Sequence, residues 1–284
     1  MALITDVERK KPLYKTGYII LLVIMTLGIF VQFFPMLWMI IGGFKTQIEL
    51  ESTTFQFLPK VWNFDNYVRA FAEFDFTQNI YNTCYLVAAI LIIQVTNSIL
   101  SAYSLSKIKP KGHNIIFMYF LATMMFSGTA LVFPLYIMMT KLGLIGSKWA
   151  LILSSSAWAY CIFLFKNFFD GVPIELFEAA DIDGCGKIKA MTHILLPLSK
   201  PVIVVCVVQS FIAVYNDFLY PLMILKDNKD WTIMVRLYNI QEKSNLEMPL
   251  VYVLMTVATV PSLVLFLFAQ KNIAEGVSMT GIKG

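Results

Sequence analysis

The order of polar and apolar residues divides the chain into long uncharged runs separated by short charged segments. Gly17 to Phe44, Ile80 to Leu105 and Asn114 to Thr140 contain no Asp, Glu, Lys or Arg. A helix needs about 20 predominantly apolar residues to cross the roughly 30 Å hydrocarbon layer of a bilayer. These runs therefore predict three membrane-spanning helices. The second run carries Gln94 and Asn97, which suit a helix facing protein neighbours more than one facing lipid.

The second half of the chain contains three further apolar runs. Trp149 to Phe165 is shorter and rich in serine, and Pro201 to Leu225 is interrupted by an Asn-Asp pair. Met248 to Gln270 is uncharged, and Pro261 is expected to kink it. The loops are too short for a folded soluble domain. We therefore predict an all-α polytopic membrane protein with about six transmembrane helices, in which residues 1–284 form a single transmembrane domain.

Composition supports the membrane assignment and excludes several classes of function. Hydrophobic residues make up 58% of the 284 residues and charged residues 14%, whereas about a quarter of an average soluble domain is charged. The net charge of +4 is too small and too dispersed for a nucleic-acid-binding surface. Four cysteines without C-x-x-C spacing indicate neither a disulfide framework nor a zinc site.

The positive charges predict the orientation of the chain. Cytoplasmic loops of membrane proteins carry an excess of Lys and Arg. The segment before the first run and the loop after the second run are both basic, through Arg9, Lys10, Lys11 and Lys15 and through Lys107, Lys109 and Lys111. We therefore expect both termini to be cytoplasmic. The first run is much longer than the apolar part of a signal peptide, so we expect it to remain as an uncleaved span.

The segment between the fourth and fifth runs, residues 166–200, has the features of two consecutive helices. The first is predicted over Ile174 to Asp183, because a proline precedes it and two glutamates put negative charge near the positive end of its dipole. Gly184 can supply a left-handed stop. A second helix is predicted over Lys187 to Leu196, closed by Pro197, which cannot continue the hydrogen-bond ladder.

The first of these helices is expected to expose apolar side chains that need a covering surface, namely Phe177, Ala179, Ala180 and Ile182. One interpretation is an amphipathic helix that lies on lipid headgroups. The segment is acidic, however, and an anionic membrane surface would not attract it. The Ala-Ala pair followed by glycine also makes a slim helix end that fits a cleft. We therefore favour docking into a partner protein.

Seven residues of this segment reproduce a family signature with its spacing. Glu178-Ala179-Ala180 is followed after three residues by Gly184, and after nine more by Ile194-x-Leu196-Pro197. The segment resembles the EAA loop of ABC importer permeases, E-A-A-x3-G-x9-I-x-L-P, and departs from it at none of these positions.

Other segments are similar to the carbohydrate-uptake, maltose-type (MalG-like) permeases within that family. The similar segments are Ile182-Asp183-Gly184, Asn216-Asp217-Phe218 with Pro221-Leu222, and Glu275-Gly276 with Thr280 to Gly284. The likeness extends from about the first run to the last residue. Two departures are Cys185 after the glycine, where a small alanine is usual, and Tyr215 before the Asn-Asp pair, where tryptophan is common.

The resemblance implies one half of the translocation pathway of an importer for a carbohydrate, specifically an oligosaccharide, in a prokaryotic inner or plasma membrane. The implied partners are a second, homologous permease chain, two copies of a cytosolic ABC ATPase and an extracellular solute-binding protein. The ATPase would bind ATP and Mg, so no cofactor is expected in this chain. The implied ATPase-coupling residues are Glu178, Ala179, Ala180, Asp183, Gly184, Ile194, Leu196 and Pro197, and the carboxyl tail is also expected to reach toward the ATPase.

The sequence contains no constellation typical of catalysis or of metal binding. The nearest approach to a phosphate-binding loop is Gly184-Cys185-Gly186-Lys187, but isoleucine follows it and the upstream glycine is missing. His113 and His193 lie at loop edges without an H-E-x-x-H pattern. We therefore expect a transport subunit and not an enzyme, with no catalytic and no metal-binding residues.

Asp217 is the one clearly intramembrane acid, and such residues are candidates for function. With Asn216 it is the candidate for the substrate path, where both side chains could bond sugar hydroxyls or line a gate. Two alternatives stay open: a hydrated Asp217 near the end of the fifth run, and a proton relay. A relay would make the chain a self-sufficient secondary transporter or channel using Asp217.

Overall fold

A computed structural model describes residues 12–74, 76–182, 184–241 and 247–280, and the regular structure in these residues is entirely helical. The helices follow in chain order: α1 (Pro12–Gly42), α2 (Gln47–Glu51), α3 (Asp65–Phe74), α4 (Phe76–Tyr103), α5 (His113–Thr123), α6 (Gly128–Lys141), α7 (Lys148–Ser154), α8 (Ala159–Asp170), α9 (Glu175–Ile182), α10 (Lys187–Ala190), α11 (Leu196–Leu198), α12 (Lys200–Tyr215), α13 (Leu219–Ile224), α14 (Ile233–Gln241) and α15 (Met248–Thr280). Two π-helical turns, Ser104–Ile108 and Met191–Leu195, and a 3-10 turn, Asn228–Asp230, complete the described elements.

Four helical segments of the described chain are long and apolar enough to cross a membrane: residues 16–42, 76–108, 148–170 and 248–270. Two further helix pairs meet the same requirement together but are bent, α5 with α6 by 105° and residues 187–198 with α12 by 79°. The predicted all-α, multi-pass fold is therefore confirmed, with four candidate spans and two bent pairs that bring the total to six.

Asn114 to Thr140 is predicted as one membrane-spanning helix, and the structure has two helices there, α5 and α6, bent by 105°. The chain turns between α5 and α6, where Met125 N–H and Phe126 N–H each bond a carbonyl only three residues back. Ser127 is extended, with φ −65° and ψ 133°, and α6 begins after it. Because every residue of this turn is uncharged, the hydropathy pattern does not reveal the change of direction.

The fourth and fifth predicted spans are both interrupted. Residues 155–158 separate α7 from α8, so Trp149 to Phe165 is two helices and not one. The expected interruption of the fifth span is confirmed, because α12 ends at Tyr215 and α13 starts at Leu219. In the sixth, α15 continues through Pro261.

Two compact units make up the described chain, one within residues 1–73 and 244–257 and the other within residues 74–243 and 258–284. The expectation that residues 1–284 form one transmembrane domain stays a prediction. In the first unit the end of α1 lies against α15, because a Cβ on Gly42 would come within 2.6 Å of the Tyr252 ring. Only glycine permits this close approach.

Polar contacts hold the first unit together beside this helix contact. The buried Asn66 amide donates to the carbonyls of Gly43 and Lys45 at 3.0 and 2.9 Å. Arg69 donates twice to the Glu247 carboxylate, at 2.9 and 3.0 Å. These two hydrogen bonds hold the pKa of Glu247 below its usual value.

The second unit contains two apolar clusters of buried side chains. The first cluster joins α4, α8, α9, α12 and the helices between α9 and α12, through Ala102, Tyr103, Cys161, Phe165, Phe169, Val172, Phe177, Ala180, Ala190, Met191, Leu195 and Cys206. The second joins α4, α6, α7, α13 and α14, through Leu86, Ile90, Met139, Ala150, Leu151, Ile152, Tyr220, Ile224, Leu225, Trp231 and Val235. Because α4 contributes to both clusters, it is the common element of the unit.

Candidate functional site

The predicted helix, glycine turn and helix are present, and the turn has a defined geometry. Gly184 has φ +72°, in the left-handed region. Its N–H bonds Asp181 O at 3.1 Å, and Cys185 N–H bonds Ala180 O at 2.8 Å. This pair of bonds is the Schellman motif, which satisfies the last carbonyls of a helix and favours glycine at the left-handed position. Gly184 therefore fixes the direction in which the chain leaves α9.

The second predicted helix extends further than expected, because Pro197 does not end it. The chain is helical from α10 through a π turn into α11. Leu196 N–H bonds Met191 O, five residues back, so the turn before Pro197 is wider than an α-helical turn. A wide turn accommodates a proline, which lacks an N–H and needs space near the preceding carbonyls. The bend occurs instead at Ser199, whose hydroxyl bonds Leu195 O at 2.5 Å.

The expectation that four apolar residues of α9 are exposed is wrong for two of them. Phe177 and Ala180 are 8% and 7% exposed, because they pack in the first apolar cluster of the same chain. Ala179 is exposed, and Ile182 is 87% exposed. The surface left for a partner is therefore narrower than the sequence suggests, and it is centred on the carboxyl end of α9.

Three side chains near the end of α4 hold this loop in place. Tyr103 donates its hydroxyl proton to Lys187 O at 2.9 Å. Lys107 bonds Val172 O at 2.8 Å, and Ser106 bonds the Asp170 carboxylate at 2.6 Å. Sequence reasoning missed these contacts, since each joins residues more than 60 positions apart. Together they attach the start of α10 and the chain just before α9 to the end of the second span.

Seven of the eight predicted coupling residues fall into three groups by exposure. Glu178, Ala179, Gly184 and Pro197 are exposed, Ile194 and Leu196 are half-buried, and Ala180 is buried. Asp183 lies outside the described residues, as does the carboxyl end of the chain after residue 280. The exposed members present one carboxylate, one methyl group, the left-handed turn and a proline ring. Such a surface is small enough to enter a cleft and is rigidly supported from behind.

A second feature is the interruption of the fourth span, where two carbonyl groups are capped by α4. Gln94 Nε2 donates to Ser155 O at 2.8 Å, and Asn97 Nδ2 donates to Ser156 O at 2.9 Å. Residues three apart lie on one face of a helix, so this pairing has a signal in the sequence: two amides at that spacing and a serine run in a short span. The amides satisfy backbone groups that would otherwise be costly in an apolar region.

Beside this interruption lies a cavity of about 720 Å³ within the second unit. Asp217 lines it and accepts a long, 3.4 Å hydrogen bond from Tyr220 N–H. Asn216 is exposed, its amide bonds Ile212 O at 2.9 Å, and it is absent from the described wall of the cavity. Of the two predicted substrate-path residues, the structure thus brings only Asp217 to the cavity.

No cluster of three or more His, Cys, Asp or Glu side chains that could hold a metal ion is present in the described residues. The arrangement offers an exposed surface at the loop and a cavity large enough for a small molecule.

Comparisons with known proteins cover most of the chain. A family model described as "Binding-protein-dependent transport system inner membrane component" matches residues 94–279. Protein LplC of Bacillus subtilis is 31% identical over 264 residues, which are 88% of this chain and 89% of LplC. The trehalose/maltose transport system permease protein MalG of Thermococcus litoralis is 31% identical over 260 residues, 88% of this chain and 91% of that protein.

A solved structure shows the same fold. A chain from the crystal structure of a bacterial ABC transporter, involved in the import of the acidic polysaccharide alginate, matches with a TM-score of 0.84 and 18% identity. The match covers 96% of this chain and 100% of that one.

Proposed function

The chain belongs to the family of binding-protein-dependent transport system inner membrane components, and we propose that it forms half of a carbohydrate translocation pathway. The family assignment from the loop motif is thereby confirmed. The chain is a multi-pass membrane subunit of an ABC importer and not an enzyme, because the family is a transport component and its ATPase is a separate chain.

Coupling to the ATPase is proposed to run through the loop from α9 to α11. The observation that carries this proposal is the exposed face of α9 at Glu178 and Ala179. The helix is closed by the left-handed Gly184, and its other side packs on α4. A rigid projection can transmit a partner's movement to the spans, whereas a flexible loop would absorb it. The loop and both termini are proposed to be cytoplasmic. Two copies of the ATPase would lie on that side and would bind ATP and Mg.

The remaining partners and the substrate are inferred from the relatives. The family description supports an extracellular solute-binding protein. A half-pathway needs a second half, which we propose is a homologous permease chain. The name of the Thermococcus litoralis relative refers to trehalose and maltose, and the solved transporter imports an acidic polysaccharide. We therefore propose a carbohydrate substrate of the oligosaccharide class for this chain.

The test is to tag this chain, extract it gently from its native membrane and measure the mass of the intact complex. We expect one copy of this chain, a second permease chain and two copies of an ATPase. Recovery of this chain alone, active in vesicles without ATP, would overturn the proposal and favour a secondary transporter using Asp217. Transport that survives Asp217→Asn would remove the proton relay in either case.

A further inference from the structure

Residues 52–58, the returning segment, follow α2 and fold back along α1. The centre of the Phe57 ring lies 5.8 Å from that of Phe34 and 6.2 Å from that of Trp38. The Phe55 ring stacks on Trp38 at 5.3 Å. Phe34 and Trp38 lie eight and four residues before the last residue of α1. At 1.5 Å per residue, the returning segment therefore reaches about 6–12 Å back from the end of α1.

This part of α1 is at the depth of the lipid hydrocarbon. The apolar span of α1 covers residues 16–42, and about 20 residues are enough to cross the hydrocarbon layer. With the span centred in the bilayer, that layer extends over about residues 19–39, which include Phe34 and Trp38. Residues 16–33 of α1 are all exposed in this chain. The returning segment is therefore continuous with a surface that faces the membrane, and it reaches the boundary between headgroups and acyl chains.

The returning segment and the residues after it expose large apolar side chains. Four of these side chains are between 49% and 72% exposed: Phe55, Leu58, Val61 and Trp62. Lys60 is the one charged residue among residues 52–64. Aromatic residues are enriched where membrane proteins meet the headgroups, whereas contacts between helices in membranes favour small residues. The composition therefore favours lipid over a second membrane chain as the covering surface, and the depth argues against a water-soluble partner.

A buried lysine pairs with the backbone of the returning segment at this depth. Lys45 is 2% exposed, and its ammonium donates a hydrogen bond to Gln56 O and lies over the Trp38 ring at 4.1 Å. A lysine near the end of a span usually extends toward water, whereas this one extends back along α1. An unpaired carbonyl is costly in lipid because no water is present to bond it. The contact with Lys45 therefore suits a segment that lies in the membrane interface.

We propose that the returning segment is a lipid-binding wedge in the leaflet that surrounds the end of α1, with Lys45 as the residue that holds it in position. Its ligand is the part of the phospholipid acyl chains next to the headgroups, which Phe55 and Leu58 contact. The wedge adds apolar surface at one end of the span and so fixes the depth of α1 in the bilayer. This role is independent of the substrate carried and of the contact with the ATPase.

The test places the photoreactive amino acid p-benzoylphenylalanine at position 55 or position 58 of the complete importer in its native membrane. After irradiation, the mass of the intact chain shows whether a phospholipid or a protein has been attached. We expect phospholipid adducts at both positions. Position 182 is the matched control, because Ile182 is apolar and 87% exposed but lies outside the candidate spans. We expect no phospholipid adduct there.

Three outcomes would overturn the wedge and leave the proposed function standing. The first is an adduct with the second permease chain or the solute-binding protein in place of lipid at positions 55 and 58. The second is the absence of a phospholipid adduct at both positions in variants that still take up substrate. The third is an equal yield of phospholipid adduct at position 182.

The role of Lys45 is tested by hydrogen exchange of the complete importer in lipid nanodiscs. Lys45→Met removes the ammonium and keeps an unbranched apolar side chain, so Gln56 O loses its partner. The amides of residues 52–58 should then exchange roughly 10- to 100-fold faster, as the loss of a hydrogen bond to a charged group implies. Lys60→Met is the matched control, because Lys60 is exposed, and it should leave the exchange unchanged. An unchanged rate in Lys45→Met would overturn the role of Lys45.

Discussion

Replacing Gly184 by alanine should weaken the coupling of ATP hydrolysis to uptake through backbone strain alone. Gly184 has φ +72°, and a Cβ built there meets no atom within 4 Å. The added methyl group therefore clashes with nothing. An L-residue other than glycine, however, loses about 1–2 kcal/mol in the left-handed conformation. That penalty lowers the equilibrium constant for the folded turn roughly 5- to 30-fold.

Gly186→Ala is the matched control for this substitution. Gly186 lies two residues further on, and its Cβ position is equally open, but its φ of −63° suits any L-residue. We expect Gly186→Ala to leave coupling unchanged. Gly184→Asn should be intermediate, because asparagine tolerates the left-handed region better than alanine does. Gly184→Asp adds a negative charge and should uncouple hydrolysis from uptake while the chain still inserts into the membrane.

The assay is the ratio of substrate taken up to ATP hydrolysed by the complete importer in vesicles. The expected order of this ratio is wild type and Gly186→Ala first, then Gly184→Asn, then Gly184→Ala. If Gly184→Ala and Gly186→Ala gave the same ratio, the left-handed turn would not be needed for coupling and the reasoning would be refuted.

Three further predictions concern neighbouring features. Ala180→Leu should destabilise the chain by about 1–3 kcal/mol, because the added carbons overpack a buried site. Ala179→Leu, on the exposed face, should leave the thermal midpoint unchanged and reduce copurification of the ATPase. A lowered midpoint in Ala179→Leu with an unchanged one in Ala180→Leu would contradict the burial described above. Tyr103→Phe should cost about 1 kcal/mol and speed hydrogen exchange in α10, and unchanged exchange would show that the bond does not hold the loop. Glu247 has a lowered pKa because of Arg69, so the pair stabilises at neutral pH and its contribution is lost as pH falls below about 4. The thermal midpoints of wild type and Glu247→Gln should therefore differ at pH 7 and converge in acid, and a difference independent of pH would refute this pairing.

The sequence alone predicts the features that depend on local composition. The charge-free runs predict which parts of the chain are apolar and helical, although not the breaks between α5 and α6 or between α7 and α8. The Asn-Asp pair predicts the end of α12 at Tyr215. Gly184 predicted the turn after α9, because few other residues adopt its backbone conformation.

Features that depend on contacts between distant parts of the chain could not be predicted from the sequence. The pattern shows that Phe177 and Ala180 are apolar, but not that α4, α8 and α12 of the same chain cover them. The capping of Ser155 by Gln94 joins residues 61 positions apart. Pro197 is tolerated inside a helical run because a π turn precedes it, and no pattern in the sequence predicts that turn.

One helix, α4, connects the loop that we propose as the ATPase contact with the cavity of the second unit. Tyr103, at the end of α4, bonds the loop, while Thr83 and Gln94 of the same helix line the cavity. Thr83 lies about 30 Å from Tyr103 at 1.5 Å per residue, so a tilt of about 5° at the loop would displace Thr83 by roughly 3 Å. That displacement is comparable to the length of a hydrogen bond. A small rotation forced on the loop would therefore be enough to break or remake contacts with a molecule held at the far end of α4.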